Sequence, residues 1–411
     1  MKLTISGKKI SIIISLIGLI LYAFTPGLTS SIFLMNGKGV YLWFAFCIIT
    51  FSYLSGFKLN INNNAITSIL AVLMIAVLLV NNYNIRYGDY EQLIRMSTFL
   101  ILYLFWSNKD NWSTETLYLL CIFSAFFMIM TLYEIIDYDF FEKSVMPLFS
   151  NYNSIGKQIT NHRQGYVAGF TANPGINAII LTVGFGISYG FAVHQNKRLW
   201  KVVTVAFLAS IFITGKRGQA VFALLSLIIS YFVCSKENLI KKYGRGIAAA
   251  IVTLILMLVL SNYIPAIQNV LLRFQTLSEN DDITTGRTIL WAQTVGIFLE
   301  NPILGKGWEA TKYIIGINTH NVYLQLLGET GIVGFFIYTS FFIVSLIHCI
   351  KAIRYANNMF LQFSLYFQIF FILYCFTGNP LYDATSFLPY IVACALSELY
   401  YRNNIINRGN I

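Results

Sequence analysis

The chain alternates between long apolar runs and short polar segments. Twelve of these runs approach the roughly 20 apolar residues that a membrane-spanning helix needs. They lie at about residues 9–25, 39–56, 65–81, 92–107, 116–136, 173–194, 199–214, 219–234, 246–263, 322–350, 359–377 and 383–401. The pattern predicts an all-α polytopic membrane protein with about 12 transmembrane helices, the tenth of which is long enough to begin outside the bilayer.

Composition agrees with a membrane protein. The chain is 57% hydrophobic and 11% charged, whereas soluble domains contain about 25% charged residues. The net charge is +11, but Lys and Arg stand in small groups between apolar runs, which argues against a nucleic-acid partner. The six cysteines lie in or at the ends of apolar runs without a CxxC pair, so we expect neither a disulfide framework nor a metal knuckle.

The orientation follows from the distribution of Lys and Arg. The first segment resembles a signal peptide, but no small-x-small cleavage site follows it, so we expect it to stay as the first helix. Lys and Arg are in modest excess on the segments that alternation places on the same side as the N-terminus. We therefore expect both termini in the cytoplasm.

Two predicted outer segments, residues 137–172 and 263–321, are too long to be simple turns. The second has the apolar spacing of a helix over Ile289–Leu299, which predicts a helical cap over an outer active site. There is no internal repeat, linker or soluble cytoplasmic domain, so we treat residues 1–411 as a single transmembrane domain.

Four polar clusters are assigned to the outer side, where charge close to a membrane indicates function. The first is "HRQGYVAGFTANPGINA". Asn173 can cap a helix that has Pro174 in its first turn. This cluster is either an ordinary helix start or a site where Arg163 contacts an anion.

The second cluster, "TGKRGQA", is a very short turn between two apolar runs. Lys216 and Arg217 oppose the inside-positive trend there. They are either a snorkelling pair at the level of the headgroups or a preorganised anion site, and we favour the anion site.

The third cluster is "TTGRTILW". Thr284 or Thr285 can cap a helix, which places Arg287 in the first turn, where a cation opposes the helix dipole. Such an arginine needs a partner. The candidates are Asp281 and Asp282 in the preceding loop, or a phosphate.

The fourth cluster, "THNVYLQLLGETGIVGFF", opens the tenth run. With Asn318 or Thr319 as cap, His320 falls in the first turn, where the dipole disfavours imidazolium. A neutral histidine suits a general base, although a structural role remains the alternative. Glu329 is expected to be a structural acid or to support the site.

Taken in order, "GFTANPGINA", "TGKRGQA", "GRTILWAQTVGIFLENPILGKGW" and "THNVYLQLLGETGIVGFF" resemble the O-antigen ligase and O-antigen polymerase family. That family has the patterns G-R-x-x-x-W, N-P-x-x-G-x-G and H-N-x-Y-L-x-x-L-x-E-x-G. The resemblance runs from Gly165 to Phe336. The chain departs from the family before Arg217, where Lys216 replaces the usual small residue.

The resemblance implies a membrane glycosyltransferase of the GT-C type. Such an enzyme uses a sugar chain on polyprenyl (undecaprenyl) diphosphate and needs no nucleotide, metal or other cofactor. The absence of a Walker loop, an outer DxD pair and HExxH is consistent with this. The implied catalytic residues are His320, as the base, with Arg287 and Arg217. The implied contacts to diphosphate and glycan are Arg163, Lys216, Asn321, Tyr323 and Trp308.

Within this family we favour a polymerase that joins repeat units into O-antigen, capsule or another surface polysaccharide. The alternative is a ligase that transfers the finished glycan to a lipid or protein acceptor. A transporter of the lipid-linked sugar is disfavoured, because the polar residues cluster in outer loops and the two halves do not match. A chain-length regulator is a candidate partner, and the active site is expected on the outer, periplasmic side.

Overall fold

A computed structural model describes residues 7–25, 66–81, 90–108, 110, 112–148, 152–235, 244 and 286–403. Every regular element in these ranges is helical. The helices are α1 Gly7–Phe24, α2 Ile66–Asn81, α3 Tyr90–Trp106, α4 Ser113–Ile136, α5 Tyr152–Arg163, α6 Pro174–Gln195, α7 Arg198–Ile213, α8 Arg217–Cys234, α9 Arg287–Glu300, α10 Ala310–Ile315, α11 Val322–Tyr355, α12 Met359–Tyr374 and α13 Ala384–Tyr401. Shorter helical turns are Tyr138–Phe140, Phe141–Val145, Met146–Leu148, Gly169–Thr171 and Pro380–Tyr382.

Four helices of the described ranges, α4, α6, α8 and α11, are long and apolar enough to cross a membrane. Shorter apolar helices are α2, α12 and most of α1 and α3. Ten of the predicted runs coincide with described helices, which confirms a helical, multi-pass membrane protein. The runs 39–56 and 246–263 lie outside the described residues, so the total of twelve spans stays a prediction.

The centre of the bundle is formed by α6, α12 and α13. Residues Ala384–Leu399 of α13 and Leu361–Phe371 of α12 are buried without interruption. A helix that is apolar on all sides belongs inside a bundle, and α13 indeed packs against α3, α11 and α12, while α12 also packs against α6 and α8.

A buried carboxylate fastens the bundle at the end that the orientation rule places in the cytoplasm. Glu398 accepts hydrogen bonds from the Thr67 hydroxyl at 2.8 Å and from Arg402 Nε at 2.7 Å. Its third partner is His348 Nδ1, at 2.8 Å from Oε2. A buried carboxylate is tolerated only with such partners, and this group joins α2, α11 and α13.

At the other end, α4 holds the first outer segment. Glu134 is fully buried. Its Oε2 accepts a hydrogen bond from the Gly169 backbone N–H at 2.6 Å, and its Oε1 lies 3.2 Å from His162 Nδ1. The His162 ring stacks on Tyr138, with centroids 3.6 Å apart. These contacts fix the C-terminal end of α5 and the turn Gly169–Thr171 against α4.

The predicted helix over Ile289–Leu299 is confirmed by α9, which packs against α11 through the buried Thr294 and Ile297. Its role as a cap over an active site stays a prediction, because residues 263–285 lie outside the described residues.

Helix α11 is broken at Gly331, where φ is +63° and ψ is −167°. In an unbroken helix the N–H groups of Ile332 and Val333 would bond to the carbonyls of Gly328 and Glu329. At the break these four backbone groups need other partners, because an unpaired buried backbone group is costly.

The segment "NPILGKG" supplies all four partners. Ile332 N donates to Pro302 O at 2.9 Å, and Val333 N donates to Ile303 O at 3.3 Å. In return, the backbone N–H groups of Lys306 and Gly307 donate to Gly328 O and Glu329 O, each at 3.0 Å. The N-P-x-x-G-x-G pattern therefore pairs the backbone across a helix break.

Two glycines make this pairing sterically feasible. A Cβ on Gly305 would overlap the backbone of Glu329, and a Cβ on Gly331 would overlap the Ile303 carbonyl. Both residues have positive φ, +75° and +63° respectively, which an L side chain rarely adopts.

We expect Gly305→Ala and Gly331→Ala each to lower the midpoint of thermal unfolding in detergent by at least about 2 °C, because both clash and backbone strain act together. Gly296→Ala is the matched control. It lies inside α9 with nothing within 4 Å of an added Cβ, and Ala favours a helix interior over Gly by roughly 0.5–1 kcal/mol. Equal midpoints for all three variants would contradict this account of the break.

Candidate functional site

The start of α6 lies against the start of α8. Asn173 caps α6, its Oδ1 accepting from Gly175 N at 2.9 Å, and Pro174 is the first helical residue, so this prediction is confirmed. A Cβ built on Gly175 would lie 3.6 Å from Gln219 Nε2 and 3.9 Å from Lys216 Cε. The glycine thus lets two helix starts approach each other.

Lys216 and Arg217 occupy the first positions of α8. Lys216 is the N-cap residue and Arg217 is the first helical residue. The Lys216 ammonium lies 4.6 Å from the centre of the Tyr166 ring, which is within the range of a cation–π contact. Gly215, with φ of +75°, packs against the same ring, so the tight turn places the ammonium over the aromatic face.

The loop after α12 connects α8 to Arg287. Gln219 Nε2 donates to the Tyr374 hydroxyl at 2.9 Å. A Cβ on Gly218 would lie 3.7 Å from Thr377 Oγ1, and Arg287 Nη1 donates to Thr377 O at 3.1 Å. The starts of α8 and α9 therefore meet at the same loop.

The predicted capping of α9 is wrong. The N-cap residue is Gly286 with φ of +83°, not a threonine, and Arg287 is the first helical residue. The partner described for Arg287 is a neutral carbonyl. Asp281, Asp282 and both candidate threonines lie outside the described residues.

The predicted capping of α11 is also wrong. Asn321 is the N-cap residue, with Oδ1 accepting from Leu324 N at 3.1 Å, in place of Asn318 or Thr319. His320 consequently precedes the helix instead of lying in its first turn. It is half-buried and has a left-handed backbone with φ of +53°.

The charge state of His320 nevertheless agrees with the prediction, for a different reason. Burial lowers the pKa of His320, and the positive charges of Arg287 and Lys216 lower it further. Burial likewise lowers the pKa of Lys216, and Arg287 and Lys157 add to the effect. The neutral imidazole is therefore the favoured form at pH 7, next to a cluster of cations.

Asn321 follows His320 directly, and Tyr323 lies in the first turn of α11. The Tyr323 hydroxyl donates to Ile372 O at 3.0 Å. The Trp308 ring is only 1% exposed and stacks on Tyr382 with centroids 4.8 Å apart. The contacts that the structure shows for the Trp308 ring are packing contacts. Its predicted contact with substrate stays a prediction.

Arg163 ends α5 and is exposed. Burial raises the pKa of Tyr138, and the Arg163 charge acts against this rise. The charges that lower the pKa of Lys216 are those of Arg287 and Lys157, and those that lower the pKa of His320 are Arg287 and Lys216. The structure therefore gathers Lys216, Arg287 and His320, and leaves the anion contact of Arg163 as a prediction.

Several residues of the site were not predicted. They are Lys157 on α5, Tyr166 beneath the Lys216 ammonium, Gln219, Tyr374 and Thr377. A sequence motif could have identified Thr377. "TGNP" lies between two apolar runs and resembles the "TANP" that starts α6. Lys157 has no such signal, since it lies on a polar helix without a motif.

Residues 202–339 match the family model described as O-Antigen ligase. This match supports the resemblance of the motifs in this segment to the O-antigen ligase and polymerase family. The O-antigen ligase match covers about a third of the chain and includes Lys216, Arg217, Arg287 and His320. No curated protein matches the chain. The match supports a membrane enzyme of the ligase or polymerase type, which acts on a lipid-linked oligosaccharide.

The pH dependence of activity follows from the charges around His320. If neutral His320 accepts a proton, activity falls only below the ordinary histidine pKa of about 6.5. Lys216→Gln removes a positive charge, so it raises the pKa of His320 and moves the acidic limb of the kcat profile to higher pH. Lys216→Arg keeps the charge and the position of the limb. An acidic limb at the same pH in wild type and Lys216→Gln would contradict the assignment.

Proposed function

We propose that this protein is a membrane glycosyltransferase that polymerises polyprenyl-diphosphate-linked oligosaccharide repeat units into a surface polysaccharide. The observation that supports this most is the meeting of four helix starts, those of α6, α8, α9 and α11, with the cations Lys216, Arg217 and Arg287. Helix starts carry partial positive charge and have more N–H groups than a single cap residue can bind. Together with the cations they suit a diphosphate.

The contacts that join the helix starts follow one another around the site. Gly175 of α6 lies against Lys216, Gly218 of α8 lies against Thr377, and Thr377 accepts from Arg287 of α9. The start of α11 is tied to the end of α12 because Val322 N donates to Cys375 O at 2.9 Å. His320 lies just before the start of α11, where the Arg287 charge lowers its pKa.

The proposed reaction uses two features of this arrangement. The hydroxyl of the acceptor sugar attacks the anomeric carbon, and the neutral His320 imidazole takes its proton. The bond from the anomeric carbon to the diphosphate breaks, and the negative charge that grows on the lipid diphosphate is stabilised by Lys216, Arg217 and Arg287. Since three cations neutralise the leaving group, the proposal includes that no metal is required.

The proposal also keeps the finer predictions about the membrane. It places about 12 spans in a GT-C type arrangement, both termini in the cytoplasm, and the site on the outer side of the inner membrane. There the lipid tail lies between helices while the glycan extends into water. A chain-length regulator protein would act on the same outer face.

The alternative is a ligase, and the match to the O-Antigen ligase family model agrees with either reaction. A ligase would transfer the finished glycan from polyprenyl diphosphate to a lipid or protein acceptor. Both reactions share the leaving group and the base, so the same residues serve either one. Only the acceptor differs.

The test is a gel assay with purified protein in liposomes and a polyprenyl-diphosphate-linked repeat unit. We expect a ladder of longer products that persists in a chelator. His320→Ala is expected to lower the rate by about 10²–10⁴-fold, and Arg287→Lys is expected to lose most activity because lysine lacks the bidentate fork. Transfer only to an added lipid or protein acceptor would identify the ligase.

Matched controls lie at the opposite end of the bundle. His194 ends α6 and Arg198 starts α7, both exposed, and their alanine variants should produce the wild-type ladder. A wild-type ladder from His320→Ala, or abolition of the ladder by the chelator, would contradict the proposed mechanism.

A further inference from the structure

We propose that Glu329 is a positioning residue for His320, which it holds through a hydrogen-bonded relay of Gln325 and Thr319. This inference rests on the proposed role of His320. Glu329 is not itself placed to touch substrate, because its side chain is fully buried and its carboxylate is occupied by protein donors.

The backbone at His320 needs external support. Its φ of +53° lies in the left-handed region, which disfavours a residue with a Cβ. Such a conformation persists only where the surroundings hold it, and this is common at functional sites. The direction of the His320 Cα–Cβ bond depends on this backbone conformation, so whatever fixes the turn also sets the position from which the imidazole extends.

Both neighbours of His320 are held. Before it, Thr319 is buried, and its carbonyl accepts from Trp291 Nε1 of α9 at 3.1 Å. After it, Asn321 caps α11, and its backbone N–H donates to the Thr319 hydroxyl oxygen at 3.4 Å across the turn. The turn is thus closed on itself and attached to two helices.

The relay begins at the Thr319 hydroxyl, which lies 3.1 Å from Gln325 Oε1. Gln325 Nε2 in turn donates to Glu329 Oε1 at 2.9 Å. A carboxylate only accepts hydrogen bonds, so it can pair only with the amide N–H₂ of Gln325. Glu329 therefore selects the orientation of the amide and leaves Oε1 facing the Thr319 hydroxyl.

Glu329 is itself fixed from two other parts of the fold. The Thr311 hydroxyl of α10 donates to its Oε1, and the Tyr382 hydroxyl donates to Oε2 at 2.7 Å. The Glu329 backbone carbonyl accepts from Gly307 N across the break in α11. The position of the carboxylate is therefore set by α10, by the loop before α13 and by the broken helix. Through Gln325 and Thr319 the carboxylate in turn positions the turn at His320.

The first test removes one link of the relay. Thr319→Val keeps the shape but not the hydroxyl, so we expect kcat to fall by at least about tenfold, while the KM for the lipid-linked repeat unit stays within about twofold. The acidic limb of the kcat profile should move towards pH 6.5 as the imidazole becomes more exposed to water. Thr330→Val is the matched control, since that buried hydroxyl donates to Leu326 O of its own helix and has no other hydrogen bond to the described residues.

The second test separates positioning from charge. In Glu329→Gln the remaining oxygen can accept from Gln325 and Thr311, and the Tyr382 hydroxyl can turn to accept from the new amide. We expect this variant to retain kcat within about threefold, whereas Glu329→Leu behaves like Thr319→Val. Loss of activity in Glu329→Gln as severe as in Glu329→Leu would overturn the relay, because it would show that the negative charge acts directly.

The outcomes also separate this inference from the proposed function. If His320→Ala were as active as the wild type, both the assignment of His320 as the base and the relay that positions it would be wrong. An inactive His320→Ala with wild-type kcat and pH profile in Thr319→Val would overturn the relay alone. Because Glu329→Leu could fail to fold, its thermal midpoint is compared with that of Thr319→Val, which keeps every packing contact and decides the question by itself.

Discussion

The break in α11 is the constraint on which the outer half of this protein depends. A helix inside a membrane protein must satisfy its backbone groups within the protein, and the break at Gly331 frees two donors and two acceptors. The segment "NPILGKG" pairs with all of them. This segment lies between α9 and α10 in the chain. Its pairing with α11 therefore attaches the outer loop to the bundle through backbone hydrogen bonds and two close glycines.

The attached loop brings charge to the ends of helices. Arg287 starts α9 and reaches the loop after α12, while α8 begins with Lys216 and Arg217 beside the start of α6. Cations at helix starts are unfavourable in isolation, because both the N–H groups and the side chains are positive. Their accumulation around a neutral His320 is understandable if an anion binds among them, as the lipid diphosphate of the proposed reaction would.

Much of the fold could be predicted, because the apolar runs that form helices can be seen in the local sequence. The cap at Asn173 could also be predicted, because it binds a backbone N–H only two residues away. The left-handed backbone of His320 could not, since Trp291 of α9, distant in sequence, holds its turn. Charge clusters identified the cations of the site. They missed Lys157, which approaches Lys216 only through folding, and the motif residue Trp308 is buried in an aromatic stack.

The most direct measurement is an electron cryomicroscopy structure in lipid nanodiscs with a non-hydrolysable phosphonate analogue of the lipid-linked repeat unit. The account predicts density for the diphosphonate within hydrogen-bonding distance, about 3 Å, of Lys216, Arg217 and Arg287, with the first sugar facing His320. A headgroup bound away from these residues, for example near Glu398 at the opposite end of the bundle, would contradict it.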